Sequence, residues 1–398
     1  MAPSSLTVEP KTAVSEKQRQ HQYEQRSKNL RWWASFALLA FAMVAGCDMT
    51  CRFLITPDAL HQPNRSWFWW SMRALKAVGP HPDIALCGSS LMVATVTDSD
   101  ATFYNRPKDQ VLERRCLFLE QLLQEKTGKR PRTVSFAIGG EMASDAYGIT
   151  SVALQKQYKP KMIVWGVAPR DLIDRTFTNP NQSGISQGVS ALAGNRDVFG
   201  RLSFWDKIER GCDKISFIYG HRQEIVAIQH ALCKQLFAAC GWTNLDTNQL
   251  PNELKGEVYK NFPDDEGVCN WVNVPTKQFH FTNNMKEYRT RYNPFNEGLY
   301  QEQVSFMQQT LSYCHDNGIK VLLVNMPITE LNMSALAPGV YTRYLNDVKT
   351  AANRYSIEFV DLNDHKMFPQ SDFVDTVHMN GFGAIKFWRQ LVNDHWPS

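Results

Sequence analysis

The chain has no GxxxxGK[ST] phosphate loop and no GxGxxG after a strand-like run, so nucleotide chemistry has no sequence support. Its histidines form no HExxH and no close pair, and its nine cysteines form no CxxC. A catalytic metal, a structural zinc and thioredoxin-like redox chemistry are therefore not expected, and no cofactor is called for. Charge of one sign is scarce as well. The 43 Lys+Arg against 39 Asp+Glu leave +4 over 398 residues, too little for a nucleic-acid footprint. No internal repeat or low-complexity tract is visible. What is present is ordinary globular usage, 43% hydrophobic and 21% charged, which excludes a wholly disordered, collagen-like or polytopic membrane chain. The length suffices for a large core without disulfide staples.

Most of the net charge lies at the N-terminus. Residues 1–31 carry Lys11, Lys17, Arg19, Arg26, Lys28 and Arg31 against Glu9, Glu16 and Glu24. This polar stretch has little to bury, and residues 1–30 are expected to be a disordered cytoplasmic tail. An uncharged run from Trp32 to Cys47 follows, and it continues to membrane-spanning length through Ile55 if Asp48 and Arg52, four apart on one helical face, pair or reach the interface. The reading is a transmembrane anchor over 31–55. Trp32 and Trp33 sit at the headgroups, and Lys28 and Arg31 hold the N-terminus in the cytoplasm, leaving the main domain outside. Val44-Ala45-Gly46-Cys47 also resembles a bacterial lipobox, so a lipoprotein modified at Cys47 is the alternative. Residues 56–80 form an aromatic juxtamembrane segment, in which Trp67-Phe68-Trp69-Trp70 either lies on the bilayer or covers the core. In an exported protein, some of Cys212, Cys233, Cys240 and Cys269 are candidates for disulfides.

Beyond residue 80, short apolar runs alternate with amphipathic stretches. The runs are Asp83–Cys87, Thr133–Ile138, Met162–Trp165, Val321–Val324 and Ile357–Val360; the helical patterns cover 108–127, 142–157, 301–317 and 338–354. This order predicts an α/β domain over 81–398, with a parallel sheet covered on both faces and ligand chemistry at the strands' carboxyl ends. An insertion is expected at about 175–300, opening with a flexible loop near Asn179–Gly184. Within it, Tyr288-Arg289-Thr290-Arg291-Tyr292 reads either as a surface turn or as a groove for a carbohydrate or anionic polymer.

Two stretches carry residues suited to acyl chemistry. Gly88-Ser89-Ser90 ends the first strand, where a serine on a strand-to-helix turn exposes its hydroxyl beside helix N–H donors. Near the end of the chain, Asp375-Thr376-Val377-His378 puts an Asp three residues before a His, a spacing that lets the carboxylate orient the imidazole as a base. Each alone also reads as a helix cap or a surface loop.

Together these blocks resemble the SGNH (GDSL-like) hydrolase superfamily over roughly residues 80–175 and 300–395. The resemblance implies a flavodoxin-like three-layer α/β/α fold. It also implies Ser90 as nucleophile, His378 as general base and Asp375 as orienting acid. The amides of Ser90 and Gly140, the latter from Ile138-Gly139-Gly140-Glu141, would form an oxyanion hole. The third block departs from the family pattern: Gly166-Val167-Ala168-Pro169-Arg170-Asp171 has Arg170 where the family carries an oxyanion Asn. Arg170 then either supplies a cationic oxyanion donor or pairs with Asp171 or Asp174. The anchor, the Gly-Ser-Ser turn and the terminal Asp-x-x-His-x-Asn look like envelope proteins that help acetylate alginate or D-alanylate teichoic acid, and like uncharacterised bacterial and cyanobacterial relatives. That likeness implies a membrane-anchored serine esterase or O-acyltransferase. Its partners would be an envelope polysaccharide, an acyl donor and a polytopic membrane acyltransferase. The alternative is a non-catalytic assembly or polysaccharide-binding protein on the same scaffold.

Overall fold

A computed structural model of the chain describes residues 16–54, 67–222 and 272–396, apart from single positions at 177, 195 and 201, together with a few positions between 225 and 241. Two compact units emerge: Met1–His61 with Ile208–Leu236, and Gln62–Lys207 with Phe237–Ser398.

In chain order the elements begin with helices α1 (Glu16–Leu54) and α2 (Trp67–Val78), strand β1 (Ile84–Cys87), α3 (Ser90–Phe103) and β2 (Lys108–Asp109). Next come α4 (Leu117–Thr127), β3 (Thr133–Ser135), α5 (Ala143–Gly148), β4 (Met162–Val167), α6 (Gly184–Ala193) and α7 (Phe204–Ile215). The chain ends with β5 (Val272–Asn273), α8 (Met285–Tyr292), α9 (Glu297–Asp316), β6 (Lys320–Asn325), α10 (Val340–Arg354), β7 (Glu358–Asp361) and α11 (Gly381–His395).

The larger unit is an α/β domain built on one parallel five-stranded sheet in the order β3-β1-β4-β6-β7. Counting only those strands in sequence, this is the flavodoxin-like order 2-1-3-4-5. All five strands arise from the short apolar runs. β1 is buried along its whole length, as expected of a strand covered on both faces. Helices α3, α4 and α11 pack on one another, and α5, α9 and α10 form a second layer. The indole of Trp388 on α11 donates to the carbonyl of Thr95 on α3 at 3.1 Å, locking the last helix onto the first helix of the sheet domain. The chain leaves β1 toward β3 on one side and returns to β4 on the other, so the switch point lies at the carboxyl ends of β1 and β4.

A small antiparallel pair, β2 with β5, ties the end of the insertion back to this domain. Asn273 donates to Asp98 (2.6 Å) and to Thr97 (3.0 Å). Farther along, the Thr276 amide donates to Thr102 Oγ1, while Thr276 Oγ1 accepts from the amide of Gly381 at the start of α11. A side chain at Gly381 would collide with Thr102, so this crossing requires glycine.

Several expectations are corrected. The tail expected to be disordered over 1–30 is helical from Glu16 onward, because its Glu, Gln, Lys and Arg are good helix formers; residues 1–15 lie outside the described residues. The helix expected over 108–127 starts only at Leu117. Lys108 and Asp109 pair with β5, and Asp109 Oδ1 then accepts from the amides of Val111 and Leu112 to make a turn. The Asn179–Gly184 stretch is ordered: the Ser183 hydroxyl caps α6 by accepting from the Ser186 amide. In the aromatic segment, Phe68 and Leu75 of α2 belong to the core; residues 55–66 lie outside the described residues. Cys212 and Cys240 are free, and Cys233 and Cys269 are outside the described residues.

In the smaller unit, α1 includes Trp32–Leu54, 23 residues long and apolar enough to cross a membrane and with none of that surface buried. Asp48 and Arg52 stand 3.6 Å apart in its last turns.

Candidate active site

The first strand ends in a turn that only glycine can make. Gly88 has φ +140°, and a Cβ there would lie 2.6 Å from the carbonyl oxygen of Gly166 on β4. The turn places Ser89 at the N-cap and Ser90 at the first position of α3, at the switch point of the sheet. Beside it, the Ile138 amide donates to the Gly88 carbonyl at 3.0 Å. That bond brings the turn holding Gly140 next to Gly88. Gly140 also adopts a positive φ, +85°.

The Asp375–His378 loop comes from the other end of the chain. An antiparallel bridge between Phe373 and Met379 closes it, and Asn380 caps α11 by accepting from the amides of Phe382 and Gly383. Thr376 fastens it from outside. Its carbonyl accepts from the hydroxyl and amide of Thr329, and its amide and hydroxyl both donate to Asn284 Oδ1. Asp375 is therefore held by neighbours on both sides.

The result is a continuous relay. Asp375 Oδ1 accepts from the amides of Val377 and His378 at 2.8 Å each. Its Oδ2 accepts from His378 Nδ1 at 2.7 Å, and His378 Nε2 stands 2.8 Å from Ser90 Oγ. With Nδ1 donating to a carboxylate, Nε2 is the acceptor for the serine proton. Burial pushes the Asp375 carboxyl up, but its bonds to His378 and the two amides outweigh this and hold it below the usual range, hence ionised. Ser90, Asp375 and His378 are brought together; Gly140 lies on the turn alongside.

Arg170 is engaged with buried acids. It opens a one-turn helix after β4, is 1% exposed, and bonds Asp174 Oδ2 at 2.7 Å with Asp171 Oδ1 3.3 Å away. Arg291 reaches the same Asp174 carboxylate from α8. Burial alone lowers the Arg170 value, but Asp171 and Asp174 overcome it and keep the guanidinium charged. Of the two roles the sequence allows Arg170, the structure shows the pairing with Asp171 and Asp174. The Tyr288–Tyr292 stretch is likewise structural. Both tyrosines are 2% exposed, and Tyr292 donates to Asn332 at 3.1 Å, so the carbohydrate-groove reading is set aside.

Behind the Gly88–Ser90 turn lies a set of buried acids, of which the sequence pointed only to Asp171, as a partner for Arg170. Glu141 Oε1 accepts from the Gly88 amide at 3.1 Å, and Asp171 Oδ2 accepts from the Ala168 amide at 2.9 Å. Burial pushes Glu141 well above the usual range, with Asp145 and Asp171 adding to the effect. Asp145 and Asp171 themselves are pushed up to about 6 by burial. A lone Glu after Gly-Gly gives no sign of this role. Among the described residues no group of His, Cys, Asp and Glu is arranged to hold a metal ion.

Comparison with known proteins places these observations beside several solved structures. A protein-family model matches residues 286–395, well under half of the chain. No curated protein matches. A structure described as an acylhydrolase, from Bacteroides fragilis, aligns at 11% identity and TM-score 0.34, covering 81% of this chain and 94% of its own. A GDSL-like lipase from Parabacteroides merdae aligns at 11% identity and TM-score 0.32, with 79% and 96% covered. Axe2, an acetylxylan esterase from Geobacillus stearothermophilus, aligns at 11% identity and TM-score 0.31, with 81% and 98% covered. At such identity these likenesses leave the chemistry to be argued from this chain's own residues.

Proposed function

We propose that this protein is a membrane-anchored, extracytoplasmic serine esterase or O-acyltransferase of the SGNH type, acting on an envelope glycan or a lipid-linked acyl group. The observation that carries the reading is the Ser90–His378–Asp375 relay, assembled from loops 288 positions apart with both contacts at hydrogen-bond length. Its chemistry follows from the donor order. Ser90 Oγ attacks an ester or thioester carbonyl while its proton passes to His378 Nε2. Ionised Asp375 stabilises the imidazolium through Nδ1–H. The amides of Ser90 and Gly140 are the donors for the oxyanion. On collapse, His378 returns the proton to the departing alcohol or thiol, leaving an acyl-serine. Water or a sugar hydroxyl then gives up a proton to Nε2 and takes the acyl group, and Nε2 returns that proton to the departing Ser90 Oγ. The exposed apolar helix Trp32–Leu54 supports the anchor, and the basic residues before it support an outside location for the domain.

The direct experiment is hydrolysis of an activated acetyl ester, with covalent labelling by a fluorophosphonate. Labelling of wild type but not of Ser90→Ala is expected. Equal turnover by the two proteins refutes the mechanism. Arg170, standing where the resemblance leads one to expect an Asn donor, favours a second reading, an acylation-incompetent scaffold for envelope assembly. Stoichiometric labelling at Ser90 rules that reading out.

A further inference from the structure

The helix α7 carries an apolar stripe with no protein cover among the described residues. Phe204, Trp205, Ile208 and Ile215 are 70%, 74%, 42% and 80% exposed, and Cys212 on the same stripe is exposed too. At the pitch of an α-helix, those five positions fall within about 100° of arc. The rest of the helix is charged, with three acids and three bases in its sequence, so the polar face is balanced in sign.

The end of α7 is joined to the apolar helix α1. Arg52 donates to the Ile215 carbonyl at 2.7 Å, and Asp48 Oδ1 accepts from the Ser216 hydroxyl at 2.6 Å and from the Ile218 amide at 2.8 Å. Asp48 and Arg52 lie in the last turns of Trp32–Leu54. At about 1.5 Å per residue, Asp48 is about 9 Å short of the helix end, at the edge of the hydrocarbon. A carboxylate at that depth needs partners, and the turn after α7 supplies two of them. Whatever depth the end of α1 takes, this turn takes with it.

We propose that α7 is an interfacial helix that lies in the outer lipid surface beside the exit of α1, its Phe204–Ile215 stripe in the acyl boundary and Trp205 at headgroup level. This rests on the reading of α1 as a membrane anchor. The occupant of the stripe is lipid because the end of α7 and the turn after it are hydrogen-bonded to a helix whose own apolar surface requires lipid. The balanced polar face makes the association indifferent to lipid charge.

The test uses the full-length protein reconstituted into phosphatidylcholine vesicles containing a diazirine-labelled phosphatidylcholine, with adducts mapped by mass spectrometry after photolysis. Adducts are expected on both Trp32–Leu54 and Phe204–Ile215, unchanged when anionic phosphatidylglycerol is mixed in. In the triple variant Phe204→Glu, Trp205→Glu, Ile208→Glu, the α7 adducts are expected to be lost while those on α1 persist. Adducts on α1 alone in wild type overturn the proposal but leave the anchor standing, and this outcome includes a stripe reserved for a protein partner. Release of the protein by alkaline carbonate, with adducts on neither segment, overturns the anchor reading itself.

Discussion

The amide of Gly88 donates to a carboxyl oxygen of Glu141, 53 positions away and fully buried, so an acid from the turn after β3 holds the turn that presents Ser90. Burial, with Asp145 and Asp171 nearby, pushes that acid well above the usual carboxylate range. With its folded value above its unfolded value, its contribution to stability is fully present below about pH 4.3 and is lost as pH rises through the folded value. Glu141→Gln keeps an acceptor for Gly88 without the ionisation. Its thermal midpoint should gain on wild type as the buffer is raised from pH 5 to pH 8. Glu141→Leu, which orphans the Gly88 N–H, should cost about 1–3 kcal/mol at pH 5. A constant offset between the Gln variant and wild type across that range would show that Glu141 is not held neutral.

Gly88→Ala introduces a methyl 2.6 Å from the Gly166 oxygen at a φ that side chains avoid. Loss of about 1–3 kcal/mol is expected from backbone strain alone, and more if β1 and β4 separate. Denaturant unfolding measures it, and an alanine variant as stable as wild type would show that the turn has another conformation.

Asp375→Asn preserves shape but removes the charge that fixes the imidazole. If the relay is catalytic, kcat for an activated ester should fall about 10⁴-fold with the fold intact. Asp375 is held below its usual range, so the pairing stabilises the protein above about pH 3.9 and that stabilisation disappears as pH falls through the lower folded value. The difference in thermal midpoint between wild type and Asn variant should therefore shrink on acidification below pH 4.

Arg170→Met separates structure from catalysis. It leaves Asp171 buried without its cation and Asp174 with Arg291 alone. The expected loss is about 3–5 kcal/mol of stability. Turnover by the folded fraction, measured well below the transition, should stay within a few-fold of wild type. A drop of about 10²-fold or more in kcat at full folding would restore an oxyanion role to this residue.

Much of the sheet is legible in the sequence because parallel strands buried on both faces read as uninterrupted apolar runs, as Ile84–Cys87 and Met162–Val167 do. The relay residues are legible because a glycine turn and a fixed Asp-to-His spacing are local patterns. The meeting of Ser90 with His378 is not local, and only the resemblance pointed to it. The remaining details depend on tertiary partners that no window of sequence contains. Lys108 is drawn into a strand by β5 and into an ion pair with Asp100, both buried at 1% exposure. Glu141 takes its role from Gly88, and Tyr288 and Tyr292 turn inward because α8 packs beside the short helix Glu330–Met333 and the one that Arg170 opens. Charge and aromaticity alone made that last stretch look like a surface.

The Thr276 crossing sets limits on how this chain can be trimmed. Thr276 bridges Thr102 on the helix of the proposed nucleophile and Gly381 at the root of the last helix, two residues after the loop that ends at Met379. The segment from Val272 to Thr282 therefore acts as a buckle between α3 and the loop that carries His378, with the Thr282 amide donating to the Val374 carbonyl, although it belongs to the long excursion between β4 and β6. Engineers seeking a minimal soluble version can cut into that excursion only upstream of the buckle, and a natural homologue that shortens it would be expected to keep those few residues.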